Sequence, residues 1–134
     1  NFDLRYLTAA IKRYPERALK VTLLDQKLFA GSGNYIACEI CARAGIRPTR
    51  KCKDVKKAEF AKILKAIHKV IRPALKSGGT TFQGGYRDST GERGLGVQHL
   101  VVFWQKTCQM CKKTPVKKII LAQRGTYYCP KCQK

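Results

Sequence analysis

Two pairs of cysteines near the end of the chain have the spacing of metal ligands. Cys108 and Cys111 form one C-x-x-C pair, Cys129 and Cys132 form a second, and 17 residues separate the pairs. Each pair can place two thiolates about 2.3 Å from one ion, and two pairs complete a tetrahedron. Because four thiolates leave no open coordination position, the sequence predicts one structural Zn2+. The alternative interpretation is a pair of disulfides or free thiols.

A second pattern suits a phosphate group. Residues 23–34 read Leu-Leu-Asp-Gln-Lys-Leu-Phe-Ala-Gly-Ser-Gly-Asn, a Gly-x-Gly turn between two helical patterns. Gly31 and Gly33 permit positive φ and a close approach of phosphate to the backbone. The next helix offers free N–H groups and its positive dipole end, and Lys27 and Asn34 can reach the same anion. The alternative is a plain helix hairpin with Asn34 as N-cap.

The charge of the chain favours a polyanionic partner. Lys and Arg number 28 against 8 Asp and Glu, giving a formal charge of +20, and no acidic residue follows Glu92. The positive charges of such a chain repel one another, and proteins with this excess of Lys and Arg typically bind nucleic acid. An acidic protein or an anionic membrane surface is the alternative partner.

Other features concern the compartment and the remaining cysteines. No apolar run approaches the roughly 18 residues that span a bilayer, and no signal peptide is visible. Seven cysteines, four of them in metal-type pairs, indicate a reducing compartment.

Cys38 and Cys41 are also spaced C-x-x-C, but inside a helical pattern. We interpret them as buried small residues, with a second metal site including Cys52, or a redox pair, as alternatives.

Helical periodicity in the first two thirds of the chain indicates how these motifs are positioned. The sequence predicts a helix capped by Asp3, a second over residues 20–30, a third over residues 34–45, and a fourth capped by Asp54 that Pro73 kinks or ends. Alternating patterns predict strands at residues 99–104, 118–122 and 126–128. The predicted fold class is α+β, mainly α. Residues 1–98 form a helical subdomain with a long loop at about residues 77–98, and residues 99–134 form a zinc-bound β-hairpin finger.

Three segments together carry a family resemblance. LLDQKLFAGSGNYIACEICARAGIRPTR resembles the helix–two-turn–helix of the formamidopyrimidine-DNA glycosylase and endonuclease VIII family. SGGTTFQGGYRDSTGERG is similar to that family's lesion-recognition loop, and HLVVFWQKTCQMCKKTPVKKIILAQRGTYYCPKCQK resembles its zinc finger. The resemblance covers nearly all of the chain in the family's order and favours the formamidopyrimidine branch.

The resemblance implies roles for individual residues. Lys27, Asn34 and Arg124, with Gly33 beside them, would hold the phosphates next to the damaged nucleotide. Thr80 and Thr81 belong to the loop that would fold over an everted oxidised purine. The chain departs from the family pattern where Tyr35 and Ile36 are exchanged and Cys38 replaces a polar residue, and again at residues 82–86.

The resemblance also implies an activity. Family members excise oxidised purines such as 8-oxoguanine and formamidopyrimidines in base excision repair, and they cut abasic sites, using an N-terminal proline amine and the adjacent glutamate. This chain begins at Asn1-Phe2-Asp3, within the helical region, and offers no catalytic residue of that kind. We therefore expect a monomeric, intracellular module, cytoplasmic or nucleoid-associated, which binds duplex DNA with an oxidised base or abasic site. A separate N-terminal domain would supply catalysis. The alternative function is a non-catalytic zinc module that binds RNA or the ribosome.

Overall fold

A computed structural model describes residues 3–25, 27–29, 33–76 and 100–134, with residues 71–76 described by backbone alone. Its elements are four helices, α1 (Leu4–Lys12), α2 (Leu19–Leu23), α3 (Asn34–Ala44) and α4 (Lys57–Lys76), a 3-10 turn (Cys52–Asp54), and two strands, β1 (Lys117–Leu121) and β2 (Arg124–Tyr128). The mainly α, α+β class is confirmed. The predicted lesion loop, with Thr80 and Thr81, lies outside the described residues, as does Gly31.

The first helix begins where the sequence predicts. Asp3 has extended backbone angles, and its Oδ1 accepts a hydrogen bond from the N–H of Tyr6 at 2.9 Å, which satisfies one of the unpaired donors of the first turn. Leu7, Ala10 and Ile11 then fall on one face of α1 and are buried. The Asp3 cap is therefore confirmed.

The helical core forms where α3 packs against α4, with α1 and α2 alongside. Because α3 is covered by helices on one side and by the finger on another, eight of its eleven residues are buried. The apolar side chains of this core include Leu7, Ile11, Leu19, Leu23, Ile36, Ile40, Ile46, Phe60, Ile63 and Ile67. Among the described residues, no helix combines the length and the apolar character needed to cross a bilayer.

The second helix is shorter than the predicted 20–30, because Asp25 ends it. The Asp25 carboxylate accepts a hydrogen bond from the N–H of Lys27 at 2.9 Å and pairs with Arg17 at 3.0 Å. Its carbonyl accepts from the N–H groups of Leu28 and Phe29. A side chain that bonds its own backbone two residues later competes with helical hydrogen bonds, and the chain turns at this point.

The fourth helix corrects two further predictions. Asp54 lies in the 3-10 turn and does not cap α4. Instead Glu59 accepts a hydrogen bond from the N–H of Lys56 at 2.8 Å, which is one half of a capping box. The helix also continues past Pro73 to Lys76, so Pro73 does not end it. One proline removes a single N–H donor, so a helix can continue across it.

The predicted strand at residues 99–104 is wrong over the residues that the structure describes there. Residues 100–104 form a loop in which three successive backbone N–H groups bond a buried carboxylate and not a neighbouring strand. Glu39 of α3 accepts from Val101 at 2.8 and 2.9 Å, from Val102 at 2.9 Å and from Phe103 at 3.1 Å. Burial raises the pKa of Glu39, while these N–H donors oppose that shift.

The finger contains the antiparallel hairpin that the sequence predicts, shifted slightly along the chain. Lys117 pairs with Tyr128 and Leu121 pairs with Arg124. The two turn residues, Ala122 and Gln123, have φ values of 52° and 65°. Positive φ at both central positions is the geometry of a type I′ turn, whose twist matches that of the strands. The turn therefore presents Arg124 at its exposed end.

Candidate metal centre and nucleic-acid interface

The four cysteines of the two C-x-x-C pairs converge on one point. The Sγ atoms of Cys108, Cys111, Cys129 and Cys132 all lie within 4.8 Å of one another. A zinc tetrahedron with bonds of about 2.3 Å holds its sulfur atoms about 3.8 Å apart, and the Sγ atoms of Cys108 and Cys132 are 3.8 Å apart. The cluster is compatible with one structural zinc ion.

Backbone N–H groups donate to two of these thiols, and a third thiol bonds a hydroxyl group. The N–H of Met110 bonds the Sγ of Cys108, and the N–H of Cys132 bonds the Sγ of Cys129, both at 3.3 Å. Hydrogen bonds with Thr114 and nearby backbone lower the pKa of Cys111 to about 5, whereas burial raises the pKa of Cys108, and burial together with the neighbouring thiols raises that of Cys132 to about 12. Thiolate is the form that ligates a metal, so binding of zinc would release the protons that Cys108 and Cys132 hold.

The second cysteine pair is docked on the end of α3. Gly45 ends that helix with φ 75°, a conformation that suits glycine, and its carbonyl accepts from the N–H of Lys134 at 2.9 Å. Gln133 is fully buried and donates to the carbonyl of Ile46 at 2.9 Å, while accepting from the N–H of Cys129 at 2.8 Å. Arg47 donates to the carbonyls of Pro130 and Gln133. These bonds fix the finger to the helical core.

A buried lysine joins the other end of α3 to the hairpin. Lys20 of α2 has no exposed surface, and its Nζ donates to the Oδ1 of Asn34 at 2.6 Å and to the Oγ1 of Thr126 at 2.7 Å. Asn34 in turn donates from Nδ2 to the carbonyl of Gly125 at 2.9 Å. Burial lowers the pKa of Lys20. We call Lys20, Asn34, Gly125 and Thr126 the clamp junction.

The clamp junction brings together two of the residues singled out in the sequence. Asn34 begins α3, and Arg124 immediately precedes Gly125, to which Asn34 is bonded. Gly33 is the N-cap of α3 with extended angles (φ −108°), so it does not use the positive φ that glycine permits. Lys27 is exposed in the turn after α2. Residues 30–32 lie outside the described part of the chain, and among the described residues no hydrogen bond joins Lys27 to Asn34.

Sequence reasoning missed Lys20 and Thr126. One signal was available, since Lys20 stands where a helical pattern calls for core residues, between Leu19 and Val21. Thr126 gave none, because it is an ordinary strand residue 106 positions further along the chain. Only the folded structure shows that the Nζ of Lys20 donates to two oxygen atoms inside the protein and does not contact solvent.

The remaining cysteines are structural. Cys38 and Cys41 are fully buried, and burial raises the pKa of both thiols, so the redox interpretation is wrong. Cys52 is also buried, with its Sγ 3.2 Å from the Thr22 hydroxyl. Among the residues that the structure describes, these three cysteines do not form a second metal-ligand cluster.

Comparison with protein families agrees with both parts of this geometry. Residues 1–84 match the model described as "Formamidopyrimidine-DNA glycosylase H2TH domain", and residues 106–134 match "Zinc finger found in FPG and IleRS". A formamidopyrimidine-DNA glycosylase of Prochlorococcus marinus is 39% identical over all of this chain and 45% of its own length. One of Roseiflexus is 40% identical over 94% of this chain and 46% of its own.

Solved structures give the same result. The complex between Lactococcus lactis Fpg and a DNA containing an abasic site superposes with a TM-score of 0.81, at 27% identity, over 99% of this chain and 48% of that one. A complex of the same enzyme with a FAPY-dG-containing DNA gives 0.78 at 29% identity over the same shares. The chain thus spans about half the length of the relatives it matches. Since the first family model covers more than half of its residues, the chain belongs to the formamidopyrimidine-DNA glycosylase H2TH family and carries that family's zinc finger.

Proposed function

We propose that this chain binds duplex DNA containing an oxidised base or an abasic site, as the DNA-binding region of a base-excision-repair glycosylase and AP lyase. The clamp junction is the observation that carries the proposal. It joins the first residue of α3 to Gly125, the residue after the exposed Arg124 at the hairpin end. Burial and, to a smaller extent, the positive charge of Arg124 lower the pKa of Lys20, which donates to Asn34, so the Arg124 charge acts close to this helix N-terminus. Both groups attract phosphate, and phosphate contacts fix the register of a protein on DNA.

The N-terminus of α3 is suited to an anion. As the N-cap of α3, Gly33 has no side chain that could accept from the first N–H groups of the helix, and a Cβ built at this position meets nothing within 4 Å among the described residues. Glycine is therefore not demanded there by the backbone angles or by the packing. An open approach to the first N–H groups of the helix is a reason to keep it.

The other assignments follow from family membership. We propose that Lys27 and Gly33 contact the same phosphates, that Thr80 and Thr81 face the lesion, and that Cys108, Cys111, Cys129 and Cys132 hold the zinc. We also propose a division at residues 98/99 into a helical subdomain and a finger, and a monomeric protein. No catalytic step is assigned to residues of this chain. Preference for a lesion-containing duplex over RNA separates this function from the RNA- or ribosome-binding alternative.

Removing either proposed phosphate contact is expected to weaken DNA binding. We expect Asn34→Ala and Arg124→Ala each to reduce affinity for an abasic duplex roughly tenfold, about 1.4 kcal/mol, because each removes a charged or polar phosphate contact. Arg124→Ala should also lower the slope of log affinity against log salt by about 1. Fluorescence anisotropy of labelled duplex at several salt concentrations measures both effects.

Lys62→Ala is the matched control for these variants, because Lys62 is exposed on α4. It should leave affinity within about twofold of wild type. Unchanged affinity in both Asn34→Ala and Arg124→Ala, with melting temperatures that show folded protein, would overturn the clamp assignment.

Lys20 is expected to act on DNA binding through Asn34. Lys20→Met keeps the length of the side chain but removes the donor that holds Asn34 and Thr126. Removing a buried charge offsets part of the lost hydrogen bonding, so we expect a stability change of at most about 2 kcal/mol. Affinity for the abasic duplex should nevertheless fall several-fold. Thermal unfolding and anisotropy measure the two effects, with Lys62→Met as control. Wild-type affinity in Lys20→Met would show that Lys20 has only a structural role.

A further inference from the structure

Trp104 combines an exposed position with a backbone conformation that glycine adopts at lower cost. Its side chain is 63% exposed, and its backbone has a φ of 60°. The left-handed region is unfavourable for bulky residues, and glycine adopts it without that cost. The chain therefore keeps its only tryptophan, mostly in solvent, where glycine would fit the backbone better.

The loop that carries Trp104 is held firmly. The N–H of Phe103 is bonded to the buried Glu39, and the Phe103 ring packs edge-on against Tyr127 with centroids 4.9 Å apart. The indole of Trp104 rests against Phe103 at a centroid distance of 5.0 Å. Since one face of the indole is supported in this way, the ring is positioned in advance for a contact on its exposed side.

This loop is close to the clamp junction. Phe103 also contacts Tyr35, with ring centroids 6.0 Å apart, and Tyr35 is the residue after Asn34 in α3. Tyr127 follows Thr126 in β2 and has the Nζ of Lys118 5.6 Å from its ring centroid. One aromatic cluster thus connects the exposed indole to both sides of the proposed phosphate site.

The charge of the chain segment that carries Trp104 indicates the chemistry of the partner. No acidic residue occurs from residue 93 to the end of the sequence, which also contains Lys106, Lys112, Lys113, Lys117, Lys118 and Arg124. An exposed aromatic ring within a purely cationic segment suits a ligand with phosphates and flat rings. Aromatic side chains on basic surfaces bind nucleotides by packing on sugar or base, and the indole N–H can donate to a phosphate oxygen.

We propose that Trp104 is a DNA-contact residue, whose indole packs on a nucleotide of the bound strand next to the phosphate held at Asn34. This inference rests on the proposed function and adds a contact to it. A nucleotide-stacking contact is worth about fivefold or more in affinity. This gain in DNA affinity would be the reason for placing a tryptophan at residue 104 despite its unfavourable backbone conformation.

Intrinsic fluorescence tests the contact directly, because Trp104 is the only tryptophan in the chain. The zinc-loaded protein is titrated with a short duplex carrying a tetrahydrofuran abasic analogue, while anisotropy of a label on the DNA reports binding. We expect the indole emission to be quenched by the duplex and to lose accessibility to acrylamide. Binding by anisotropy with unchanged emission and accessibility would overturn the proposal and leave the proposed function standing. No binding by anisotropy would overturn the proposed function itself.

Substitutions give an independent test. Trp104→Gly should bind the abasic duplex roughly fivefold or more weakly, and Trp104→Phe should retain most of the affinity. The melting temperature of Trp104→Gly should stay within about 4 °C of wild type, because relief of the left-handed backbone offsets the lost ring contact. Ile120→Ala is the matched control, since Ile120 is an exposed apolar residue of the same finger at 71% exposure. Wild-type affinity in Trp104→Gly, or an equal loss in Ile120→Ala, would contradict the assignment.

Discussion

Removal of zinc is expected to unfold the finger and abolish high-affinity DNA binding, while the helical core remains folded. The hairpin has two five-residue strands, and a two-stranded hairpin is marginally stable on its own. Its apolar contacts are centred on Cys108 and Cys129 themselves, together with Leu100–Phe103. Structural zinc contributes about 10–16 kcal/mol in comparable small modules. Circular dichroism with a chelator should show loss of strand signal and retention of helix.

Cysteine variants distinguish a zinc effect from a general loss of stability. Cys129→Ser should lose the metal and the finger, because it removes one of four ligands. Cys52→Ser is the matched control, since Cys52 is also buried but bonds Thr22 and lies outside the cluster. A colorimetric zinc assay should find one ion per chain in wild type and in Cys52→Ser. Retention of zinc by Cys129→Ser with unchanged affinity would show that the ligand assignment is wrong.

The features that were predictable from sequence depend on local patterns. The spacing within Cys108–Cys111 and Cys129–Cys132 limits where their thiolates can point, so the pairs indicate a shared metal without any knowledge of the fold. The Asp3 cap and the end of the third helix at Gly45 also depend on a few neighbouring residues, and the structure contains both. Hydrophobic periodicity located all four helices, although not all of their ends.

The errors arose where a side chain forms hydrogen bonds with the backbone of a segment and so prevents the predicted helix or strand. In one case that side chain is distant in sequence, and in the other it lies within the segment. Residues 99–104 have the composition of a strand, but the carboxylate of Glu39 binds the N–H groups of Val101, Val102 and Phe103. The partner lies more than 60 residues away, so no local pattern could reveal it. Asp25 is different, because an aspartate two residues before a turn is a known competitor of helix. Greater weight on that residue would have ended α2 correctly.

The clamp junction combines both kinds of feature. Asn34 was identified from its place after Gly-x-Gly, and Arg124 from the family resemblance, yet the structure joins them through Lys20 and Thr126. A fully buried lysine with two oxygen acceptors is uncommon, since burying a cation costs free energy that its partners must offset. Lys20 bonds both Asn34 and Thr126, and we infer that its role is to hold Asn34 in place.

Glu39 is expected to be the most important single side chain for the stability of the connection between helical core and finger. It is 1% exposed and accepts hydrogen bonds from three successive backbone N–H groups. Glu39→Ala leaves those three donors buried without this acceptor, and each such group costs about 1–3 kcal/mol. We expect a loss of about 3–5 kcal/mol in the free energy of unfolding, with partial overlap among the three. Denaturant unfolding of the zinc-loaded protein measures it.

Two further variants show whether this effect comes from the buried acceptor. Glu39→Gln keeps one acceptor oxygen but turns an N–H donor group toward the same backbone donors, so it should cost less than Glu39→Ala and still about 1–2 kcal/mol. Glu16 is the control, because its ion pairs with Lys51 and Lys53 lie at the surface, where such pairs are worth at most about 1 kcal/mol. Equal losses in Glu39→Ala and Glu16→Ala would mean that the loop at residues 100–104 is held by its apolar packing. If Glu39→Ala instead loses stability together with the near-ultraviolet signal of Trp104, the carboxylate is what fixes the loop that carries the indole.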